Sequence, residues 1–147
     1  MTNSPSAHNA DKETSMITLQ DYFKFRKTDN PEFLSNAENL LDIINTFLAY
    51  MEILGWKPVI NPKTQTLISG QTDGGFRDEN SKTGTTTSKH RIAHAVDIYD
   101  PKNELDLMIT DDMLEDFELY REHPDSTLTW CHLQDIPPGS KKRTYYP

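Results

Sequence analysis

Seven apolar residues, Ala37, Leu40, Leu41, Ile44, Phe47, Leu48 and Met51, recur at steps of three and four, and no other feature constrains the fold as much. On a helix of about 3.6 residues per turn those steps place all seven on one face. A face that wide must be covered, so the spacing predicts a helix over about 36–54 around which the core assembles. Ser35 and Glu38 stand at capping-box spacing, and Gly55 stands where helices commonly end. Asn45 is the polar exception beside the stripe and is expected to bond neighbouring backbone.

Patterns elsewhere are shorter. Residues 1–15 are polar without periodicity and read as a flexible arm, leaving 16–147 as the domain. Thr18 with Asp21 predicts a cap opening a helix through about Lys27, with Leu19, Tyr22 and Phe23 inward. Asp29-Asn30-Pro31 reads as a break. Thr66–Ser69 reads as a short strand, and 70–87, rich in Gly, Thr, Asp and Asn, as a long loop. His94–Tyr99 predicts a strand with Val96 and Ile98 on one side and Ala95, Asp97 and Tyr99 on the other. Thr110 should cap a helix whose face holds Met113, Leu114, Phe117 and Tyr120, stopped by His123-Pro124. Thr129–Gln134 is the last strand, with Trp130, His132 and Gln134 sharing a face; Pro137-Pro138-Gly139 starts an irregular tail. Helices first, then short strands around one more helix, predict a small α+β domain: N-terminal helices packed on a short, mainly antiparallel sheet.

Composition excludes several classes. With 15 basic and 23 acidic residues the formal charge is -8, which disfavours nucleic acid as a partner. The one basic cluster, Lys141-Lys142-Arg143, reads equally as a solvated tail or a binding patch. Cys131 is the only cysteine, so an internal disulfide and a four-cysteine zinc site are both ruled out. No apolar run is long enough to span a membrane, and the first residues carry no apolar signal region. The expectation is a protein made in the cytoplasm without membrane insertion, delivered outward, if at all, by other means.

The chemistry-bearing residues gather in Ser88–Asp97 and Trp130–Gln134. His90, Asp97 and His132 would give a metal three protein ligands and leave a fourth position open, as a hydrolytic zinc site requires. His90 and Asp97 are seven apart, an odd separation that one straight strand would split between two faces. His90 is therefore expected in a turn ahead of the strand that carries Asp97, with His132 closing the site from a neighbouring strand. The alternative is a loop histidine and a capped or salt-bridged carboxylate.

Ser-x-His-x-x-Gly-x-Ala-x-Asp followed by Trp-x-His resembles the D-alanyl-D-alanine carboxypeptidase family of zinc peptidases, matched here by Ser88, His90, Ala95, Asp97, Trp130 and His132. Ile68-Ser69-Gly70-Gln71, Gly74-Gly75-Phe76-Arg77, Asp97-Ile98-Tyr99-Asp100-Pro101 and Pro137-Pro138 with Tyr146-Pro147 look like its phage and prophage branch, so the resemblance covers about 17–147. It implies one zinc per chain on His90, Asp97 and His132. It also implies hydrolysis of peptidoglycan stem peptides, by a carboxypeptidase or an endolysin-type endopeptidase acting after phage-type release or from a virion. Arg77 matches the arginine that contacts the substrate carboxylate, which a planar guanidinium suits, and Ser88 would bind the same substrate. As isolated residues they read as a loop arginine and a structural serine.

Two positions depart from the pattern. Ala93 replaces the usual Gly, a mild change if its φ is negative. Active members carry a Glu or Asp three residues before the last His as general base, and Thr129 stands there instead. Glu122 is the substitute candidate, against its reading as a solvated helix-end carboxylate; Asp125 is also near. The competing reading is a catalytically weak or inactive zinc-containing module that binds cell wall or serves in a virion. His94 and His123 read as surface or packing histidines.

Overall fold

The computed structural model describes residues 16–147, so the expected arm at 1–15 lies outside the described residues. Helix α1, Leu19–Tyr22, is opened by the expected capping box between Thr18 and Asp21 but closes at Phe23, well short of Lys27. Tyr22 is buried as expected and Phe23 packs against the core, whereas Leu19 points outward and Ile17 is buried in its place.

Helix α2 runs Pro31–Ile53, and its buried residues are the seven of the apolar stripe. It starts five residues earlier than the capping-box spacing suggests. Asn30 is the N-cap, accepting from the Glu32 N–H at 2.9 Å, and Pro31 is the first helical residue. Proline suits that position because its missing N–H would have no intrahelical partner; the expected break is instead the helix start. Burying each large side chain of the stripe contributes about 1.5–3 kcal/mol before chain entropy is counted. Asn45 clamps the main chain of Ile17, accepting from its N–H at 2.8 Å and donating to its carbonyl at 2.9 Å. That backbone is 28 residues away, so the bond fixes tertiary structure rather than local turn geometry.

Beyond α2 the chain forms four strands: β1 Ala95–Tyr99, β2 Tyr120–Glu122, β3 Trp130–Gln134 and β4 Thr144–Tyr145. Their order in the sheet is β1-β3-β2-β4. The β1/β3 and β2/β3 pairs are antiparallel and β2/β4 is parallel, so the expected α+β fold holds with a mixed sheet. Val96, Ile98, Cys131 and Leu133 join the core cluster with the α2 stripe. The opposite faces of β1 and β3 carry Asp97 and His132, which are direct cross-strand partners.

The other side of β1 is covered by the 67–74 segment rather than by a full strand. Tyr99 N–H donates to the Leu67 carbonyl, Ser69 N–H to Asp97 and Asp97 N–H to Gly74. The expected Thr66–Ser69 strand reduces to the bridges Asn61–Thr66 and Ile68–Ile98. A Cβ at Gly74 would lie 2.1 Å from the Ser69 carbonyl oxygen, so only glycine fits this close approach.

Two further differences shape the site. Helix α3, Glu104–Met108, has no forecast in the pattern; the Asp100 carboxylate caps it by accepting from the Leu105 and Asp106 N–H groups at 3.0 Å each. Helix α4 spans only Asp111–Asp116, capped by Thr110 as expected. Glu118 takes a left-handed φ of 57°, and the chain re-enters the sheet as β2. Tyr120 and Glu122 are therefore strand residues, not the end of a helix. The supposedly irregular tail returns as β4, where His123 N–H donates to the Tyr145 carbonyl at 2.7 Å. Arg143 lies over the Tyr120 ring at 4.3 Å and donates to the Leu119 carbonyl, so it is packed rather than solvated.

Candidate metal centre

His90 is held by a 3₁₀ turn, Lys89–Ile92, directly ahead of β1, which meets the parity expectation. Ser88 caps that turn, its hydroxyl accepting from the His90 N–H at 3.2 Å. Ala93 ends the turn with φ 63°, so the condition under which its replacement of Gly would be mild, a negative φ, is not met. A residue with a Cβ in this left-handed region costs roughly 1–2 kcal/mol relative to glycine. Ala93 is fully buried, so its methyl offsets part of that cost by packing.

Asp97 on β1, His132 on β3 and His90 from the turn converge, and their ligand atoms all lie within 4.8 Å of one another. All three are buried. Asp97 Oδ1 stands 3.2 Å from His90 Nε2 and 2.9 Å from His132 Nδ1. Its other oxygen, Oδ2, faces the Arg77 guanidinium at 3.4 Å. One carboxylate oxygen thus points to the imidazoles while a cation neutralises the other.

The protons on the two rings can be placed by their outer partners. His90 Nδ1 meets the Gly75 carbonyl at 2.8 Å, and His132 Nε2 meets the Gln134 side-chain oxygen at 2.7 Å. Both partners only accept, so both outer nitrogens carry hydrogen. In the neutral rings the inner nitrogens are bare lone pairs facing a carboxylate oxygen. His90 Nε2 is a buried atom without a hydrogen-bond partner. Lone pairs pointing at one another repel unless a cation sits among them, so the donor set fits a metal ion; the group could hold one. Two imidazole nitrogens and one carboxylate oxygen are the ligand types that zinc accepts with one position left open.

Burial opposes ionisation of Asp97, but the charge on His90 and the bonds from His132 and His90 outweigh it and hold the carboxyl well below its ordinary range. Burial opposes protonation of His132, yet the Asp97 carboxylate beside it raises its affinity for the proton above the ordinary imidazole value.

These groups lie in a cleft of about 450 Å³ that is also lined by Arg77, Ser88, Glu122, Trp130, Gln134 and Tyr145. Glu122 reaches it from β2, with Oε2 3.9 Å from His132 Nε2. Direct pairing of β2 with β3 carries it there. Thr129 is exposed and does not line the cleft, and Asp125 pairs with His123 away from it. Arg77 is fixed from several sides: Nε donates to the Asp73 carbonyl at 2.8 Å, while Nη1 makes long contacts of 3.4 Å to Thr83 and Ser88. Gly84 permits this, since a Cβ there would lie 2.5 Å from Nη1. Ser88 therefore supports both His90 and Arg77.

The other expected histidines lie elsewhere. His94 pairs with Asp135 at 2.7 Å and His123 stacks on Tyr146, as surface and packing residues. Sequence reasoning missed the Gly75 carbonyl, for which no residue-type signal exists. It also assigned no role to Gln134, whose position two residues after His132 on one strand face was a readable signal. Tyr145 had none, because its placement depends on a parallel pairing of the tail. No protein-family model, curated protein or solved structure matches the chain.

Proposed function

We propose that the protein is a zinc-dependent peptidase that hydrolyses peptidoglycan stem peptides, as the resemblance to the D-alanyl-D-alanine carboxypeptidase family implies. One observation supports it above the rest: two imidazole nitrogens, one of them without a hydrogen-bond partner, and a carboxylate oxygen converge in a cleft whose lining carries a further carboxylate, Glu122. Zinc held by His90, Asp97 and His132 would supply a Lewis acid that polarises the scissile carbonyl and acidifies water.

The chain's own residues supply the rest. Asp97 and Glu122 are the carboxylate side chains that line the cleft among the described residues, and Asp97 is occupied by both imidazoles and Arg77. Glu122 is left to take the proton from the attacking water and return it to the departing amine nitrogen. The Arg77 guanidinium would orient a substrate carboxylate by its positive charge and the one Nη2 N–H not engaged by Asp73, Thr83, Ser88 or Asp97. The reading is tested by digesting purified peptidoglycan with zinc-loaded protein and weighing the fragments. Stem-peptide cleavage by the parent, and background zinc in both His90→Ala and His132→Ala, are expected. Full zinc occupancy in both variants overturns the metal centre. Zinc bound without any cleavage favours a cell-wall-binding or virion-structural module instead. Arg77→Lys is expected to retain zinc and to slow cleavage.

A further inference from the structure

Gln134 lies two residues beyond His132 on the cleft face of β3, is 1% exposed, and has no part in the proposed reaction. Its amide nitrogen donates to the Ile136 carbonyl at 2.9 Å. A carbonyl only accepts, so the NH₂ end of the amide is fixed there and Oε1 must face the other way. On that side Oε1 lies 2.7 Å from His132 Nε2 and 2.5 Å from the Tyr145 hydroxyl, which belongs to β4. An amide oxygen has two lone pairs, and these two donors use both. The amide cannot flip without setting its oxygen against the Ile136 oxygen and its NH₂ group against the His132 N–H.

The geometry points to Gln134 as a positioning residue that fixes the tautomer and ring orientation of His132, so that Nδ1 is the nitrogen offered to the metal. The inference rests on the metal-centre reading of His90, Asp97 and His132. Nδ1 faces Asp97 Oδ1 at 2.9 Å while Nε2 is turned away toward the amide. A partner accepting from the outer N–H also makes the inner nitrogen more basic and holds the ring still. The Gly75 carbonyl does the same for His90, but that group is backbone. Gln134 acts on its ligand ring through a side chain. It ties the metal centre to the C-terminal strand, because Tyr145 closes the other side of the same oxygen.

The experiment measures zinc affinity by competition with a chromophoric chelator for the parent, Gln134→Met and Gln134→Glu, alongside melting of the metal-free proteins. It also records the histidine N–H resonances of the zinc-loaded forms. Gln134→Met keeps volume but removes the acceptor; it is expected to weaken zinc binding by the folded protein roughly 10–100-fold, and to lower the metal-free melting temperature because two buried donors lose their partner. Gln134→Glu keeps an acceptor oxygen and should retain most of the parent's affinity. In the zinc-loaded parent a slowly exchanging Nε2–H on His132 is expected, and in Gln134→Met it should exchange fast. Equal zinc affinity in parent and Gln134→Met overturns the role of Gln134 and leaves the metal centre standing. A His132 that carries its proton on Nδ1 in the zinc-loaded parent overturns it without any variant. A parent that binds no zinc overturns both readings together.

Discussion

The two faces of β3 each bury a carboxylate, and only one of them belongs to a group that could hold a metal ion. Behind the strand, on the Cys131 and Leu133 face, lies Asp106. In front, beside His132, lies Asp97. Both are nearly inaccessible. Asp106 is met by the Thr127 hydroxyl at 2.9 Å and the Arg121 guanidinium at 3.4 Å, and Arg121 directs its other donors to the Asp106, Ile109 and Thr144 oxygens. Every strong donor there has its acceptor within the chain. Asp97 faces two imidazoles whose inner nitrogens, once neutral, offer lone pairs instead of protons. Burial of charge does not by itself single out a candidate site; a buried lone pair without a donor beside an open cleft does.

The front face should give the largest response. Glu122→Gln keeps shape and hydrogen bonding but removes the proton acceptor, so cleavage should fall roughly 10²–10⁴-fold with zinc retained. Kinetics on purified peptidoglycan together with metal analysis checks this; unchanged turnover would clear Glu122 of the role. On the rear face Asp106→Ala should destabilise by about 3–5 kcal/mol in denaturant melts, because it strands the buried Arg121 charge. The folded fraction should still bind zinc at the parent's stoichiometry. Loss of zinc from that folded fraction would erase the distinction between the faces.

The two carboxylates should also respond to pH with opposite sign. Burial pushes the Asp106 carboxyl up, only partly offset by Cys131, Thr127 and Arg121, so its contribution is complete below the ordinary value of 3.8 and is lost as pH rises through the higher folded value. Asp97 is held down, so its contribution is complete above 3.8 and is lost as pH falls through the lower folded value. In chelator, melting temperature tracked against pH should show Asp97→Asn flattening the acid limb and Asp106→Asn flattening the limb above 3.8. Both variants altering the same limb would contradict the contrast. The smallest effect belongs to Ala93→Gly. Relief of the left-handed φ is opposed by the lost methyl and by the entropy of glycine in the unfolded chain, so stability should move by less than about 1 kcal/mol. A larger loss in denaturant melts would show that packing of the methyl outweighs the strain at the turn that carries His90.

The sequence by itself determined what contiguous residues can express. The three-and-four spacing of the stripe set the buried face of α2, because a helix face is defined by neighbours along one segment. Strand parity put Asp97 apart from Val96 and Ile98 and grouped His132 with Gln134, and the odd separation of His90 from Asp97 required the turn that Lys89–Ile92 supplies. Helix ends were less legible: Asn30-Pro31 can open a helix or break a chain, and the packing of the segment after it decides between them. Tertiary structure alone decided that Asp97 lies opposite His132, that Tyr120–Glu122 leaves a helical pattern to join β3, and that the tail returns beside it with Tyr145. Those choices are made by backbone hydrogen bonds between distant segments, and main-chain N–H and C=O groups are nearly the same at every residue. That sameness is why residue identity names the candidate ligands, while the Gly75 carbonyl and the Tyr145 hydroxyl behind them emerge only from the folded chain.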